Sequence, residues 1–519
     1  MSLRARETLI VVVYVLVHVA AALAFVLRRD PGTDAAWVGF PLDDAWIHHV
    51  YARSLAHGGL FEYVPGRPEA GFTSPLWAIV LAPIWWFTDE PRVAALACKA
   101  LGVVIAIAVS LAADRLATRL SSARWAGVIA GLAIAIDPAL TFASVSGMEV
   151  MLAALAMLVA VHAWLEERWS IAGAALAASL ISRPECALVV IVMGAAESQR
   201  TRDRPSWPTL AKLIAPTLGV GALWSGFCLW VAGRPLPNTF YAKRHPHSLL
   251  DTFSDAPRIF GPQLLDQSWF FVGSGFVLLA LAARRLTRDG AIGRERAITL
   301  CAVPIVFLLG VAWAHDILWL RAFAVLRYTL PHLPWTIALI AVGAHEAITL
   351  VRAAKNTWRD RAIAALSALA LVLPLVVLPY RFDRSASAYA WNAQNIEEMQ
   401  VRVGEWLRAH TTDGEWVATH DAGAIRIFSG RRVLDLAGLN EHRMHALGTD
   451  LFAEVRPRYF AVFPTWFPRM AASPRYRGVF SASASHYTIC PCTSTELRVL
   501  EPIAARSVTE SEDDLEGSP

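Results

Sequence analysis

Two adjacent acids, Asp43 and Asp44, open a stretch whose spacing predicts an amphipathic helix through His57. Acids at a helix start cap free N–H groups and complement the helix dipole, so the pair has a structural explanation. A carboxylate can also take a proton from an attacking hydroxyl or hold Mg²⁺, Mn²⁺ or Ca²⁺. The sequence leaves base catalysis and cation binding at Asp43 and Asp44 both open, and it establishes no cofactor requirement.

Basic side chains embedded in apolar sequence form a second chemical group. Arg183, Lys243 and Arg327 lie there, and Arg53 follows the acids on the same predicted helix. An Arg within a membrane span costs about 2.5–3.5 kcal/mol and persists mainly where it is paired or functional. An ion pair explains Arg183 and snorkelling explains Arg327, whereas a clamp for a lipid phosphate explains the whole set. The supporting polar residues are His48, Glu149, Glu185, Asn238, Tyr241 and Tyr328.

Several other chemistries lack their usual motifs. His48 and His49 are adjacent and face different sides of a helix, so they do not form the H-x-x-x-H pair of a zinc enzyme. The sequence has no P-loop and no G-x-S-x-G elbow, which indicates against nucleotide hydrolysis and serine-hydrolase chemistry. Cys490 and Cys492 form a C-P-C pair that favours a disulfide or free thiols over a metal site.

Composition points to lipid as the main solvent. Of the 519 residues, 55% are apolar and 17% are charged, where a soluble domain carries about 25% charged residues. The apolar residues form blocks of roughly 16 to 25, long enough for a ~30 Å hydrocarbon layer. These values exclude a soluble enzyme, a disordered protein and a disulfide-built secreted domain. A net charge of +4 from 47 basic and 43 acidic residues is too balanced for a nucleic-acid binder.

The apolar blocks predict an α-helical polytopic membrane protein of about eleven spans. Arg4 and Arg6 precede the first block, 8–27, so the N-terminus is expected in the cytoplasm, together with the basic loops at 200–204, 284–296 and 352–361. Block 73–88 is short and interrupted by two prolines, so it is interpreted as re-entrant. The other crossings are placed at 93–113, 125–143, 148–165, a broken hairpin over 170–196, 209–232, 268–283, 297–320, 328–351 and 362–380.

This threading divides the chain into a membrane domain, 1–380, and a small extracytoplasmic α/β domain, 381–505. The first outer loop spans 28–72, and residues 506–519 form an acidic tail predicted to be disordered. The α/β domain is predicted from a helical pattern over 392–410, followed by short apolar runs at 416–419, 425–428, 432–436 and 459–463. Under this threading five polar motifs in apolar sequence all face the outer side of the membrane. They are Asp43-Asp44, 146–149, 182–185, 237–243 and Arg327-Tyr328.

Three motifs of the first outer loop resemble the GT-C membrane glycosyltransferases: PLDDAW at 41–46, ARSLAHGG at 52–59 and GFTSPLW at 71–77. The nearest resemblance is to actinobacterial arabinofuranosyltransferases that use a decaprenyl-phosphate-arabinose donor. Further matches follow in order along the chain: SGME at 146–149, RPE at 183–185, PNT at 237–239 with Ala242 and Lys243, Arg327 before a Leu-Pro stretch, and VLDLAGL at 433–439. The Gly-Gly-Asp-Phe-like run of the arabinosyltransferases is missing before Arg327.

The resemblance implies inverting transfer of a sugar from a polyprenyl-phosphate donor to an acceptor hydroxyl. The acceptor is an envelope glycan, lipid or protein at the outer face of a bacterial cytoplasmic membrane. Carried over to this chain, Asp43 is the first candidate base, and Asp44 orients the acceptor or holds a metal ion. Arg183, Lys243 and Arg327 would hold the donor phosphate, which becomes the leaving group.

Two other functions remain open from sequence alone. A transporter or flippase for lipid-linked saccharides would share many spans and intramembrane charges, although it should place them through the membrane depth. A non-enzymatic envelope scaffold would leave the positions of Asp43, Asp44 and Arg183 unexplained. Replacing Asp43 by Asn should leave such a scaffold working.

Overall fold

The structure is a computed structural model that describes residues 2–200, 207–242, 274–289, 292–314, 325–353, 357–489 and 495–503. Lys243, Cys490, Cys492 and the acidic tail lie outside the described residues, so the predictions made for them stay predictions. The chain is mostly helical.

The first 145 residues form the helices that surround the first outer loop. They are α1 (Leu3–Val26), α2 (Asp43–Ala56), α3 (Pro75–Leu81), α4 (Pro91–Ser121), α5 (Arg124–Ile136) and α6 (Pro138–Val145). A 3-10 helix, Ala82–Trp86, extends α3, and a short hairpin of β1 (Glu62–Val64) and β2 (Arg67–Pro68) follows α2. Helix α2 begins at the predicted acid pair because Leu42 before it is extended and both acids occupy the first turn.

The next helices flank Arg183 and carry Arg327. They are α7 (Val150–Leu165), α8 (Trp169–Ser182), α9 (Ala187–Arg200), α10 (Trp207–Ala232), α11 (Asn238–Ala242), α12 (Ser274–Asp289), α13 (Arg294–Ala314), α14 (Val325–Thr329), α15 (Leu333–Ala353) and α16 (Trp358–Ile396). Between α8 and α9 the backbone at Arg183 is extended, because the residue before a proline avoids the helical region. This break lies where the sequence predicts a broken hairpin.

Among the described residues, five helices are long and apolar enough to cross a membrane: those within Arg4–Val26, Pro91–Ser121, Trp207–Ala232, Arg327–Ala353 and Trp358–His410. Helices α5 and α6, bent by 59° at their junction, make a sixth if the pair is one span. The apolar segments Pro75–Trp86, Val150–Leu165 and Trp169–Ser182 are shorter, so the re-entrant interpretation of the first of them stays a prediction. The count of about eleven spans and the side of each loop stay predictions.

The C-terminal region contains a five-stranded sheet of order β4-β3-β5-β7-β6. Strands β3 (Trp416–Thr419), β4 (Arg432–Asp435) and β5 (Tyr459–Val462) are parallel, and β6 (Tyr476–Ser483) and β7 (Glu496–Pro502) add antiparallel pairs. Three of the predicted apolar runs are β3, β4 and β5. The run at 425–428 lies instead in a helix, α18 (Ala424–Ser429), because it packs one face on the preceding helix α17 (Arg402–His410). Three short helices complete the region: α19 (Met444–Leu447), α20 (Asp450–Val455) and α21 (Pro468–Ala472).

Helix α16 runs without a break through the domain boundary predicted at 380, and a π-helical turn, Glu397–Val401, connects it to α17. The division into two domains at 380 therefore stays a prediction.

Helix α2 lies between the neighbouring N-terminal helices and the C-terminal region. Trp46 is fully buried, with its ring 4.7 Å from that of Phe40 and 5.1 Å from that of Phe428 in α18. Five residues later on the same helix, Tyr51 stacks on Phe72 and donates a hydrogen bond to Asn440. One apolar core therefore joins both regions and fixes the helix that carries the acid pair.

Candidate active site

The carboxylate of Asp43 binds the C-terminal region. Its two oxygens accept the backbone N–H groups of Gly423 and Ala424, each at 2.7 Å, and so cap the start of α18. Burial raises the pKa of Asp43, the Asp421 carboxylate acts in the same direction, and the two N–H donors oppose the shift. Asp43 does not line the cavity described below. Its predicted role as the base stays a prediction.

Asp421 is a buried acid of the same junction, and it gives a testable pH dependence. Burial raises its pKa from 3.8 to about 6, against a hydrogen bond from Gln400 and together with the nearby Asp44 carboxylate. The folded state thus binds this proton more tightly than the unfolded state, so its stabilising effect is present at low pH and is lost as pH rises through 6. Asp421→Asn cannot titrate, and we expect its Tm relative to wild type to rise from pH 4 to pH 7.

Thermal unfolding of both proteins in detergent across this pH range checks the expectation. Asp413→Asn, at an exposed carboxylate of the same region that pairs with Arg431, is the control and should not reproduce this rise. A constant difference in Tm between Asp421→Asn and wild type would contradict the assignment.

Asp44, the second acid, faces the membrane helices. It forms an ion pair with Arg327 of α14. His48 follows one helical turn later on the same face of α2, because residues four apart on a helix are neighbours. Both side chains line one cavity. The two acids of the motif therefore point to different partners.

Arg183 is the centre of a second charged group. It is 3% exposed, and its two terminal nitrogens bind Glu149 and Glu185. Glu149 in turn lies 3.2 Å from the Nε2 atom of His48. The loop that carries Glu149 packs closely on Phe40 because residue 147 is a glycine. Gly147 has a φ of +81°, and a Cβ there would lie 2.7 Å from the Phe40 ring.

Tyr328 joins the two charged groups. The guanidinium of Arg183 lies 4.8 Å from its ring centroid and that of Arg327 lies 5.0 Å from it, both within cation–π range. Arg327 also donates a hydrogen bond of 3.1 Å to the Tyr328 hydroxyl. Two guanidiniums are thus held side by side at one ring.

These groups form the polar end of a cavity of about 340 Å³. The remaining wall is largely apolar and comes from the first outer loop, α9, the 236–240 segment and the C-terminal region. The lining includes Ile47, Phe72, Met148, Leu188, Leu236, Phe240 and Leu439. An apolar cavity with two fixed cations at one end suits a ligand that is an anion on an apolar chain.

The structure brings seven of the predicted site residues together around this cavity: Asp44, His48, Glu149, Arg183, Glu185, Arg327 and Tyr328. Arg53 lies apart, half exposed, paired with Asp89 and stacked over Trp85. Tyr241 lies beside Arg234 rather than in the cavity wall.

Asn238 anchors the segment that leads to Lys243, which lies outside the described residues. Its side chain donates to Glu69 at 2.8 Å and to the Leu439 carbonyl at 3.2 Å, and its backbone N–H donates to the Ala70 carbonyl. Its role is therefore to hold three segments together at the cavity wall.

Both acids of the pair have partners in this structure, and their predicted role in holding a divalent cation stays a prediction. Asp43 uses both oxygens on backbone N–H groups, and Asp44 is bound to a guanidinium. Within the described ranges, the one group of three with ligand atoms within 4.8 Å of each other is Glu69, Glu441 and His442. Glu69 and Glu441 already accept hydrogen bonds from Asn238 and Arg443.

Sequence reasoning missed the contribution of the C-terminal region. Gly423 and Ala424 bind the acid motif, and the carbonyl of Ala422 accepts a hydrogen bond of 2.7 Å from Tyr63 of the first outer loop. These contacts join residues 359 to 381 positions apart in sequence. A turn of small residues gives no chemical signal that could have located them.

Comparisons with known proteins bear first on the C-terminal region. A family model described as a domain of unknown function (DUF8728) matches residues 394–500, which include the whole sheet up to Leu500. No curated protein matches the chain.

Solved structures of ArnT from Cupriavidus metallidurans resemble the whole chain. The apo structure has a TM-score of 0.56 and 13% identity, covering 95% of this chain and 98% of ArnT. The structure bound to undecaprenyl phosphate gives the same score and identity, with 96% and 98% coverage. The chain therefore has the fold of these ArnT structures. This likeness does not support the arabinofuranosyltransferase subfamily, which stays a prediction.

Proposed function

We propose that the protein is a membrane glycosyltransferase that moves a sugar from a polyprenyl-phosphate donor to an acceptor hydroxyl at the outer face of the membrane. The observation that carries the proposal is the pair of guanidiniums, Arg183 and Arg327, held at the Tyr328 ring among the charged residues of a largely apolar cavity. ArnT, which has the same fold, has been solved bound to undecaprenyl phosphate.

The two guanidiniums suit the donor phosphate. Arg presents a planar fork that matches phosphate oxygens, and the Nε atom of Arg183 has no hydrogen-bond partner. In the reaction the bond between the sugar and the phosphate breaks, and charge develops on the leaving phosphate. Cations fixed beforehand stabilise that charge without reorganisation at the moment of transfer.

The charges of the cavity imply an exchange of partners on donor binding. Two guanidiniums here face three carboxylates, those of Asp44, Glu149 and Glu185. We propose that the donor phosphate takes Arg327 from Asp44. Lys243, close in sequence to the cavity wall, is proposed as a third cation for the phosphate.

Releasing Asp44 prepares it for the acceptor. It is the acid of the pair that lines the cavity, so we propose that it accepts a hydrogen bond from a second hydroxyl of the acceptor and thereby orients the reacting hydroxyl toward the sugar. Coupling this release to donor binding would keep the acid neutralised until the donor is present.

Binding of undecaprenyl phosphate to the purified protein tests the clamp. We expect Arg327→Gln to weaken this binding by about tenfold or more, since charge-assisted hydrogen bonds contribute about 1.5–3 kcal/mol each. Arg53→Gln is the matched control because Arg53 is a half-exposed Arg outside the cavity wall. It should bind like wild type.

If Arg327→Gln and Arg53→Gln weakened undecaprenyl phosphate binding equally, the assignment of the clamp would be contradicted. Tight donor binding without sugar transfer, across a wide set of acceptors, would instead favour transport of a lipid-linked saccharide.

A further inference from the structure

The proposed reaction assigns no role to His48, which lines the cavity. His48 lies one helical turn after Asp44, and both residues line the same cavity. The imidazole and the Asp44 carboxylate therefore belong to the same cavity wall. This inference rests on the proposed function and concerns the fate of the acceptor's proton.

Glu149 determines how the imidazole is protonated. Its Oε2 atom lies 3.2 Å from Nε2 of His48, and its other oxygen is bound to Arg183. A carboxylate held ionised by a guanidinium favours a proton on the facing nitrogen. The carboxylate thus selects the tautomer with the proton on Nε2 and leaves a lone pair on Nδ1.

The Nδ1 atom of His48 has no hydrogen-bond partner, and the residue is only 5% exposed. Leaving a buried polar atom unsatisfied costs about 1–3 kcal/mol. The two nearby acids, in contrast to His48 Nδ1, have partners. Asp43 accepts two backbone N–H groups, and Asp44 pairs with Arg327. Among these three side chains, His48 is the one that offers a basic atom without a partner.

We propose that His48 is the general base of the transfer and that Glu149 orients it. Nδ1 takes the proton of the acceptor hydroxyl while the hydroxyl oxygen bonds to the anomeric carbon. The bond from that carbon to the phosphate oxygen breaks, and its electron pair leaves with the polyprenyl phosphate held by Arg183 and Arg327. The imidazolium then returns its proton to water. A carboxylate, an imidazole and a reacting hydroxyl in sequence form a familiar arrangement for base catalysis.

His48→Gln separates this role from a structural one. The Gln amide can still donate to Glu149 from a position close to that of Nε2, but it supplies no basic atom. We expect kcat to fall about 100-fold or more, with undecaprenyl phosphate binding unchanged. Retained binding also shows that the variant is folded.

Rescue of His48→Gly by added small molecules provides the second measurement. Imidazole should restore part of the rate, in proportion to its unprotonated form. Pyrrole has nearly the same shape without a basic nitrogen and should not. Equal rescue by the two compounds, or an active His48→Gln, would overturn the proposal. An inactive wild type would instead contradict the proposed function itself, so the two failures are distinguishable.

Discussion

Replacing Asp44 with Asn is expected to lower sugar transfer by about 100-fold or more and, at the same time, to tighten donor binding about tenfold. Transfer falls because the acceptor hydroxyl loses the carboxylate that orients it. Binding improves because Arg327 no longer has to leave an ion pair to reach the phosphate. Opposite changes in rate and in affinity are unusual for an active-site substitution, so their combination is diagnostic.

Undecaprenyl phosphate titrations and single-turnover transfer by Asp44→Asn measure the two effects separately. Glu185→Gln is the comparison variant, since it removes another carboxylate from the same cavity and leaves the Arg327 ion pair in place. It should retain more transfer than Asp44→Asn. Weaker donor binding in Asp44→Asn would contradict the exchange of partners at Arg327.

Gly423→Ala is expected to disrupt the junction between the C-terminal region and the acid motif. A Cβ at residue 423 would lie 2.1 Å from the backbone oxygen of Asp43, a distance that requires one backbone to move. Overpacking of this kind typically costs about 1–3 kcal/mol. We expect a lower Tm and a loss of transfer of about 100-fold, because displacing α2 moves both Asp44 and His48.

Gly478→Ala provides the matched control in the same region. A Cβ there would meet only the side chain of Arg498, at 3.9 Å. The control should fold and transfer like wild type. If Gly423→Ala lowers Tm as expected but leaves the transfer rate intact, then the C-terminal region only stabilises the protein and does not position the site.

Much of the fold could be predicted because its signals are local. The start of α2 at Asp43, the break at Arg183 and the strand β3 all lie where apolar periodicity, acids and prolines indicate. The helix over 425–428 could not be predicted from a four-residue apolar run, since such a run suits a strand or a helix equally well.

The residue types of the site could be predicted from the sequence, but the partner of each charged residue could be predicted less well. Buried Arg and acidic residues in apolar sequence pointed to Arg183, Arg327 and Asp44. Which of two adjacent acids faces the cavity depends on contacts with residues about 380 positions later, and these follow from tertiary packing alone. Arg53, on the same helix as Asp44, was predicted with the phosphate clamp but lies outside the cavity wall.

The C-terminal region therefore contributes contacts to the acid motif and to the cavity wall. Its turn at 421–424 binds Asp43 and Tyr63, and Leu439 forms part of the cavity wall. Free movement of the region would break these contacts and release the start of α2. We infer that the region positions the acid motif, which the Gly423→Ala experiment tests.

Sugar transfer by the purified wild-type protein in lipid tests the central claim most directly. Polyprenyl-phosphate arabinose, mannose and glucose would be offered with a hydroxylated acceptor, and both the glycosylated product and the released polyprenyl phosphate would be measured. We predict that at least one donor yields the two products in equal amounts, and that Arg183→Gln yields neither. Donor binding without either product, for all donors and a broad range of acceptors, would contradict the account.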